Sequence, residues 1–182
     1  MKKEVYRENL SDELEEIYDE GVSELEIGKF ENAEEKIKKV LEAEPEFVPG
    51  YNKLGVIALY KKNQNEAEKW LNRALEIDDE FVPSITNIGS LEKKRGNLEK
   101  AEKLYEKAVM LDPDYGPAHN NLGVIYREKG NYAKSVKHLK KARKLGSYAV
   151  ELSDKPLLQR KGCLVPLGLV IFFAILFFLW LY

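Results

Sequence analysis

The sequence repeats itself every 34 residues, and this period limits the chain to one kind of architecture. Glycine recurs at positions 21, 55, 89 and 123, and small residues recur with the same spacing at Ala67, Ala101 and Ser135. A fixed period of this length is typical of stacked helical hairpins, each of which buries its apolar side only against a neighbour. The register runs from about Leu14 to Ala149 without an insertion and therefore predicts four units.

The pattern inside each unit predicts two amphipathic helices. Ala67, Leu71 and Ala74 illustrate the apolar stripe that recurs at three- and four-residue spacing. Prolines at 49, 83 and 117 stand in the expected opening turn of a first helix, where an N–H would have no intrahelical partner. Glycines at 96 and 130 stand where a helix ends and a tight turn follows.

These motifs resemble the tetratricopeptide repeat family, whose 34-residue unit consists of two antiparallel helices. The fourth unit shows the family pattern best, with Leu122-Gly123, Tyr126, Gly130-Asn131-Tyr132 and Ala142. The first unit is degenerate, because Glu20 and Glu24 replace apolar residues. The resemblance implies an all-α fold, a right-handed superhelical solenoid of four helix-turn-helix repeats. The repeats would span residues 14–47, 48–81, 82–115 and 116–149, after an N-terminal lead-in at 1–13.

Residues 164–182 form a second large feature, since none of these 19 residues is charged and 14 are Leu, Ile, Val or Phe. A helix of this length spans roughly 28 Å, which is close to the thickness of the hydrocarbon core of a bilayer. The segment is apolar on every side, unlike a repeat helix, and therefore predicts a C-terminal transmembrane helix.

The flanking charges predict the orientation of this anchor. Between Lys134 and Lys161 the sequence has nine Lys or Arg residues against Glu151 and Asp154 alone. By the positive-inside rule, the repeats of this single-pass protein would face the cytoplasm. No apolar signal-peptide segment follows Met1. Residues 150–163 are expected to be a short capping segment and a basic linker, in which Cys163 is either a plain interfacial thiol or a lipidation site.

The sequence offers little for catalysis, cofactor binding or metal binding. His119 is expected to be a packed core residue and His138 a solvated one on a lysine-rich face. No phosphate-binding glycine loop and no histidine or cysteine at metal-ligand spacing is present. The sequence shows no basic groove with interleaved aromatic residues, which is the pattern that would suggest nucleic-acid binding. We therefore expect no enzyme, no cofactor and no nucleic-acid partner.

The family resemblance implies that the first helix of each hairpin lines a concave groove that binds a protein or peptide. Asparagine side chains could bond the backbone of an extended peptide, although asparagine before Leu-Gly is also a common family choice. The groove positions carried over to this chain are Asn52, Lys53, Val56, Tyr60, Asn87, Ser90, Lys94, Asn120, Asn121, Val124 and Arg127.

The expected function is that of a membrane-anchored adaptor or scaffold whose groove binds a partner segment. Two alternatives remain at this stage, a self-associating structural organiser and an assembly factor for a larger membrane complex. A resemblance to repeat domains that bind the acidic tails of chaperones extends only to Asn87, because Val56, Pro117 and Asn121 replace residues of that clamp.

Overall fold

The computed structural model describes residues 6–8 and 10–147 of the chain. Within them lie eight α-helices and no strand. The helices are α1 (Asp12–Glu26), α2 (Phe30–Ala43), α3 (Val48–Tyr60), α4 (Gln64–Ile77), α5 (Val82–Lys94), α6 (Leu98–Leu111), α7 (Gly116–Glu128) and α8 (Tyr132–Lys144). The predicted capping segment and linker at 150–163 and the predicted transmembrane helix at 164–182 lie outside the described residues.

The helices form four consecutive hairpins, α1/α2, α3/α4, α5/α6 and α7/α8. Each second helix also packs against the first helix of the next hairpin, and successive first helices touch one another. This is the nearest-neighbour stacking that the 34-residue period predicts. The predicted all-α repeat array is therefore confirmed for the described part of the chain.

Glycines let the two helices of a hairpin approach closely. A methyl group built at Gly89 would lie 2.6 Å from the ring of Tyr105, and one at Gly123 would lie 2.5 Å from Leu139. Neither position has room for a side chain, because the facing residue already fills the space. At these two positions the glycine is therefore a packing requirement.

Helix boundaries follow local chemistry that the sequence carries. Proline occupies the first turn of α3, α5 and α7. The side chains of Ser11, Asn63 and Asn131 cap α1, α4 and α8 by accepting a hydrogen bond from a backbone N–H of the first turn. The turns between paired helices use glycine with positive φ at 28, 96 and 130, whereas Lys62 takes this conformation in the second hairpin.

Candidate partner-binding groove

The first helices α1, α3, α5 and α7 stand side by side and carry all of the predicted groove residues. Three of these residues are buried, namely Asn52, Asn120 and Val124, with 8%, 5% and 4% of their surface exposed. Lys53, Val56, Tyr60, Asn87, Ser90 and Asn121 are half-buried, and Lys94 and Arg127 are exposed. The two exposed groove residues therefore lie on α5 and α7, and the half-buried ones are distributed over α3, α5 and α7.

A polar network crosses the middle of the groove from α3 to α5. The Oδ1 atom of Asn52 accepts hydrogen bonds from Nδ2 of Asn87 at 2.9 Å and from Oγ of Ser84 at 3.1 Å. Two donors thus converge on one buried amide oxygen. Asn52 holds its neighbours in place, and its carbonyl is not free to receive a partner's N–H group.

A second, separate set of hydrogen bonds links α5 to α7 through Ser90. The hydroxyl of Ser90 donates to the carbonyl of Thr86 at 3.1 Å and accepts from the hydroxyl of Tyr105 at 3.1 Å. The Nδ2 atom of Asn121 lies 3.4 Å from the same hydroxyl oxygen. Burial raises the pKa of Tyr105 to about 12, so its hydroxyl keeps its proton and remains a donor at neutral pH.

Asn87 and Asn121 keep one hydrogen-bonding group each for a partner. Their Nδ2 groups bond to neighbouring repeats, but no described residue bonds to their Oδ1 atoms. Both side chains are half-buried, so these oxygens can accept hydrogen bonds from an extended backbone. Each asparagine belongs to its own set of hydrogen bonds, and both sets include residues of α5. Whether a partner uses these asparagines remains a prediction.

The charge of the groove changes sign along the array. In α1 the carboxylates of Glu15 and Asp19 both bond to Arg7 of the lead-in, at 2.5 Å and 2.7 Å. The N-terminal lead-in therefore offsets only part of the negative charge of α1. At the other end Lys94 and Arg127 are exposed, and no ion-pair partner for either lies in the described part of the chain. This end is suited to an acidic ligand.

Aromatic contacts join the lead-in to the connection between α4 and α5, and the first hairpin to the second. The ring of Tyr6 packs edge-on against Phe81 at 5.6 Å, and its hydroxyl donates to a carboxylate oxygen of Asp78. The predicted groove residue Tyr60 stacks on Phe30 with ring centroids 5.3 Å apart. Sequence patterns gave no sign of the Tyr6 contacts, because the lead-in has no counterpart in the repeat.

The two histidines lie together, and the expectation for His138 was wrong. His119 is buried as expected, and its Nε2–H donates to the carbonyl of Pro113 at 3.0 Å. Its Nδ1 lies 2.9 Å from Nδ1 of His138, which is half-buried rather than solvated. Position 138 follows Lys36, Trp70 and Leu104 at the 34-residue period, so two of the three equivalent residues are large and apolar and indicate a packing position.

The His138 environment favours the neutral imidazole. Burial lowers the pKa of His138, and the nearby charges of His119, Lys137 and Lys134 lower it further, whereas Glu106 opposes them.

No group of three or more metal-ligating side chains occurs among the described residues. Within the same part of the chain, no helix is long and apolar enough to cross a membrane.

Comparisons with known proteins agree with this architecture. Two family models, both described as tetratricopeptide repeat, match residues 18–80 and 82–147. No curated protein matches the sequence.

Three solved structures illustrate the similarity of the fold. The crystal structure of MamA has a TM-score of 0.58 and 24% identity, over 79% of this chain and 84% of that chain. The pilF protein of Pseudomonas aeruginosa has a TM-score of 0.63 and 21% identity, over 72% and 60%. YrrB, described as a TPR protein with an unusual peptide-binding site, has a TM-score of 0.53 and 24% identity, over 71% and 66%. At these identities the likeness concerns the fold alone.

Proposed function

We propose that this chain, a member of the tetratricopeptide repeat family, is a membrane-anchored adaptor whose concave groove binds an extended, acidic segment of a partner protein. Proteins of this family serve in protein–protein interaction and scaffolding, and are generally not enzymes. The observation that carries the proposal is the α5–α7 wall of the groove. There, half-buried amide oxygens lie on the same two helices as cations that have no ion-pair partner in the described part of the chain.

Each group on this wall suits one part of an extended acidic segment. The Oδ1 atoms of Asn87 and Asn121 can accept backbone N–H groups, which every peptide offers at regular spacing. Lys94 and Arg127 supply positive charge for Asp or Glu side chains or for a terminal carboxylate. Because they are exposed, these cations add more to selectivity and association rate than to affinity.

Charge reversal tests the groove. Lys94→Glu with Arg127→Glu should greatly reduce recovery of a partner crosslinked to the full chain in membranes, because like charges would then meet. The matched control is Lys39→Glu with Lys103→Glu, since both lysines are exposed on second helices and the net charge changes equally. Equal loss in both variants, or no loss in either, would contradict a groove-binding role.

The anchor is a proposal that rests on the uncharged segment 164–182 and on the basic residues that precede it. In this proposal the segment crosses a membrane and the repeats lie in the cytoplasm. Deleting residues 164–182 should release a folded, helical, soluble protein, whereas the full chain should resist carbonate extraction. If the shortened chain remains with membranes, or if carbonate extracts the full chain, the anchor is not in this segment.

A second candidate function is that of a structural organiser that associates with itself, or of an assembly factor within a larger membrane complex. An apolar part of the outer face of α8 favours this candidate, because within the described part of the chain Tyr132 exposes 69% and Val136 50% of its surface. Partner capture that survives charge reversal in the groove would favour this class over the adaptor.

A further inference from the structure

An ion pair recurs at each of the three junctions between hairpins. Lys61 lies 2.7 Å from Glu34, Arg95 lies 2.6 Å from Glu68, and Lys129 lies 2.6 Å from Glu102. The partners are 27 residues apart in every case, and successive pairs are separated by the 34-residue period. In each pair, a cation at the end of a first helix bonds to a glutamate on the second helix of the preceding hairpin.

The same series has one unpaired position at each end of the array, and both are apolar. Thirty-four residues before Lys61 stands Ile27, and thirty-four residues after Glu102 stands Val136. Ile27 exposes 41% of its surface and Val136 exposes 50%, and both are among the few large apolar residues exposed in the described chain. At each internal junction these two positions hold residues of opposite charge. At the two ends of the array the same positions hold apolar side chains.

The face of α8 that would contact a following hairpin is basic, apart from Val136. In α6 the residue Glu106 contacts the next hairpin by accepting a hydrogen bond from the hydroxyl of Tyr126 at 2.9 Å, and Val109 packs beside Ala118. The period assigns these positions to Lys140 and Arg143 in α8. Both are exposed, and α8 contains six Lys or Arg and no Asp or Glu.

The corresponding face of α1 is acidic. In α7 the residues Ala118 and Leu122 are buried against the preceding hairpin. The equivalent residues in α1, 102 positions earlier, are Glu16 and Glu20, both exposed. The whole of α1 contains eight Asp or Glu and no Lys or Arg. The two ends of the array therefore complement each other in charge as well as in their apolar residues.

We propose that copies of this chain associate head to tail, with α8 of one copy packed against α1 of the next and Val136 opposite Ile27. Such a contact repeats the geometry of the internal junctions, with an apolar pair in place of the ion pair. It is heterologous, so it adds copies in one direction and generates open chains unless the rotation between copies closes a ring. The inference goes beyond the groove function, because it uses only the array ends and leaves the concave surface open.

Directed crosslinking of the full chain in detergent tests the contact. All variants carry Cys163→Ser, so that the introduced thiol is the only cysteine. A chain with Ile27→Cys is mixed with a differently tagged chain with Val136→Cys and treated with a short bismaleimide. Met110→Cys in place of Val136→Cys is the matched control, since Met110 is 82% exposed on α6, away from both ends.

We expect the 27/136 mixture to give about tenfold more mixed dimer than the 27/110 mixture, which corresponds to a preference of about 1.4 kcal/mol. Equal yields would overturn the proposal, because they would indicate association through another region, such as residues 164–182, which does not place residue 27 near residue 136. A dominant 136/136 product would also overturn it, since that product requires a symmetric contact.

A charge test addresses the same contact without crosslinker. In a chain that carries Ile27→Glu and Val136→Glu, like charges would meet, and association measured by sedimentation should be lost. Ile27→Lys with Val136→Glu extends the ion-pair series by one member, and this variant should associate again. Circular dichroism would verify folding of both variants, and identical sedimentation of the two would contradict the head-to-tail contact.

Discussion

At the scale of single residues, the repeat imposes strict requirements at a few positions and few elsewhere. The turn inside each hairpin needs a residue in the left-handed region, with φ of 84° at Gly28, 85° at Gly96 and 75° at Gly130. Lys62 holds the same position in the second hairpin at φ 62°. A side chain in this conformation costs roughly 1–2 kcal/mol, because its Cβ crowds the backbone.

Lys62→Gly should therefore stabilise the array. We expect a gain of about 1 kcal/mol in the free energy of unfolding, reduced by the loss of the side-chain interactions that Lys62 makes. Urea denaturation of residues 1–155, followed by circular dichroism, would measure it. Gly96→Lys is the reverse control and should destabilise by a similar amount. A loss of stability in Lys62→Gly would show that the side chain matters more than the backbone strain.

The recurrent glycines of the first helices differ in how much space faces them. At Gly89 a new methyl group would lie 2.6 Å from the Tyr105 ring, whereas at Gly21 the nearest atoms are 3.2 Å away. Alanine favours a helix over glycine by about 1 kcal/mol, but overpacking opposes this gain at Gly89. We therefore expect Gly89→Ala to lower the free energy of unfolding by about 1–3 kcal/mol. Gly21→Ala should change little, and equal melting temperatures for the two variants would contradict this account.

At the scale of helices and turns, one asparagine position serves two purposes. Asn63 and Asn131 cap the helices that follow them, each accepting from a backbone N–H at 3.2 Å. Asn97, the equivalent residue between them, instead donates through Nδ2 to a carboxylate oxygen of Glu92 at 2.7 Å. Glu92 is almost fully buried and also accepts from Lys100 at 3.0 Å and from Arg95 at 3.2 Å.

This cluster should make stability depend on acid pH. The bond from Asn97, and after it Lys100 and Arg95, lowers the pKa of Glu92, although burial opposes them. A lowered carboxyl pKa stabilises the fold above the unfolded value of about 4.3, and the stabilisation is lost as the pH falls below that value towards the folded pKa.

Glu92→Gln should consequently destabilise residues 1–155 by about 1.5–3 kcal/mol at pH 7, and by less at pH 3. Urea denaturation at the two pH values would show the difference. Glu128→Gln is the control, because Glu128 is exposed and pairs with Lys93 only at 3.5 Å, so it should cost less than about 1 kcal/mol. The same loss at both pH values would rule out a role for the charge of Glu92.

The sequence predicts the helices and turns well and their polar contacts poorly. Periodicity, proline in the first turn and glycine in the turn are local, and each appears in the structure where the pattern places it. The bonds of Asn52 to Asn87 and of Asn97 to Glu92 could not be predicted in this way. Folding brings several donors and acceptors close to each of these side chains, and the sequence does not show which of them pair. The groove residues could thus be assigned to helices from the family pattern, but not sorted into those with free polar groups and those without.

At the scale of the whole molecule, the array is strongly asymmetric in charge. Its first helix α1 is purely acidic among charged residues, and its last helix α8 is purely basic. Sequence alone reveals this asymmetry, because stacked repeats keep chain order in space. The structure adds that Arg7 pairs with two of the eight carboxylates of α1. In the proposed topology the basic helix lies nearer the membrane, where anionic headgroups attract Lys and Arg.

We expect the groove, and not the outer surface, to contact the partner at the membrane. A photo-crosslinking amino acid placed in the full chain at Lys94 or, as control, at Lys103 tests this expectation, because both residues are exposed. After irradiation of intact membranes, residue 94 should yield a distinct crosslinked partner that is absent with residue 103. Identical products at both positions, or products at residue 103 alone, would contradict the proposed function.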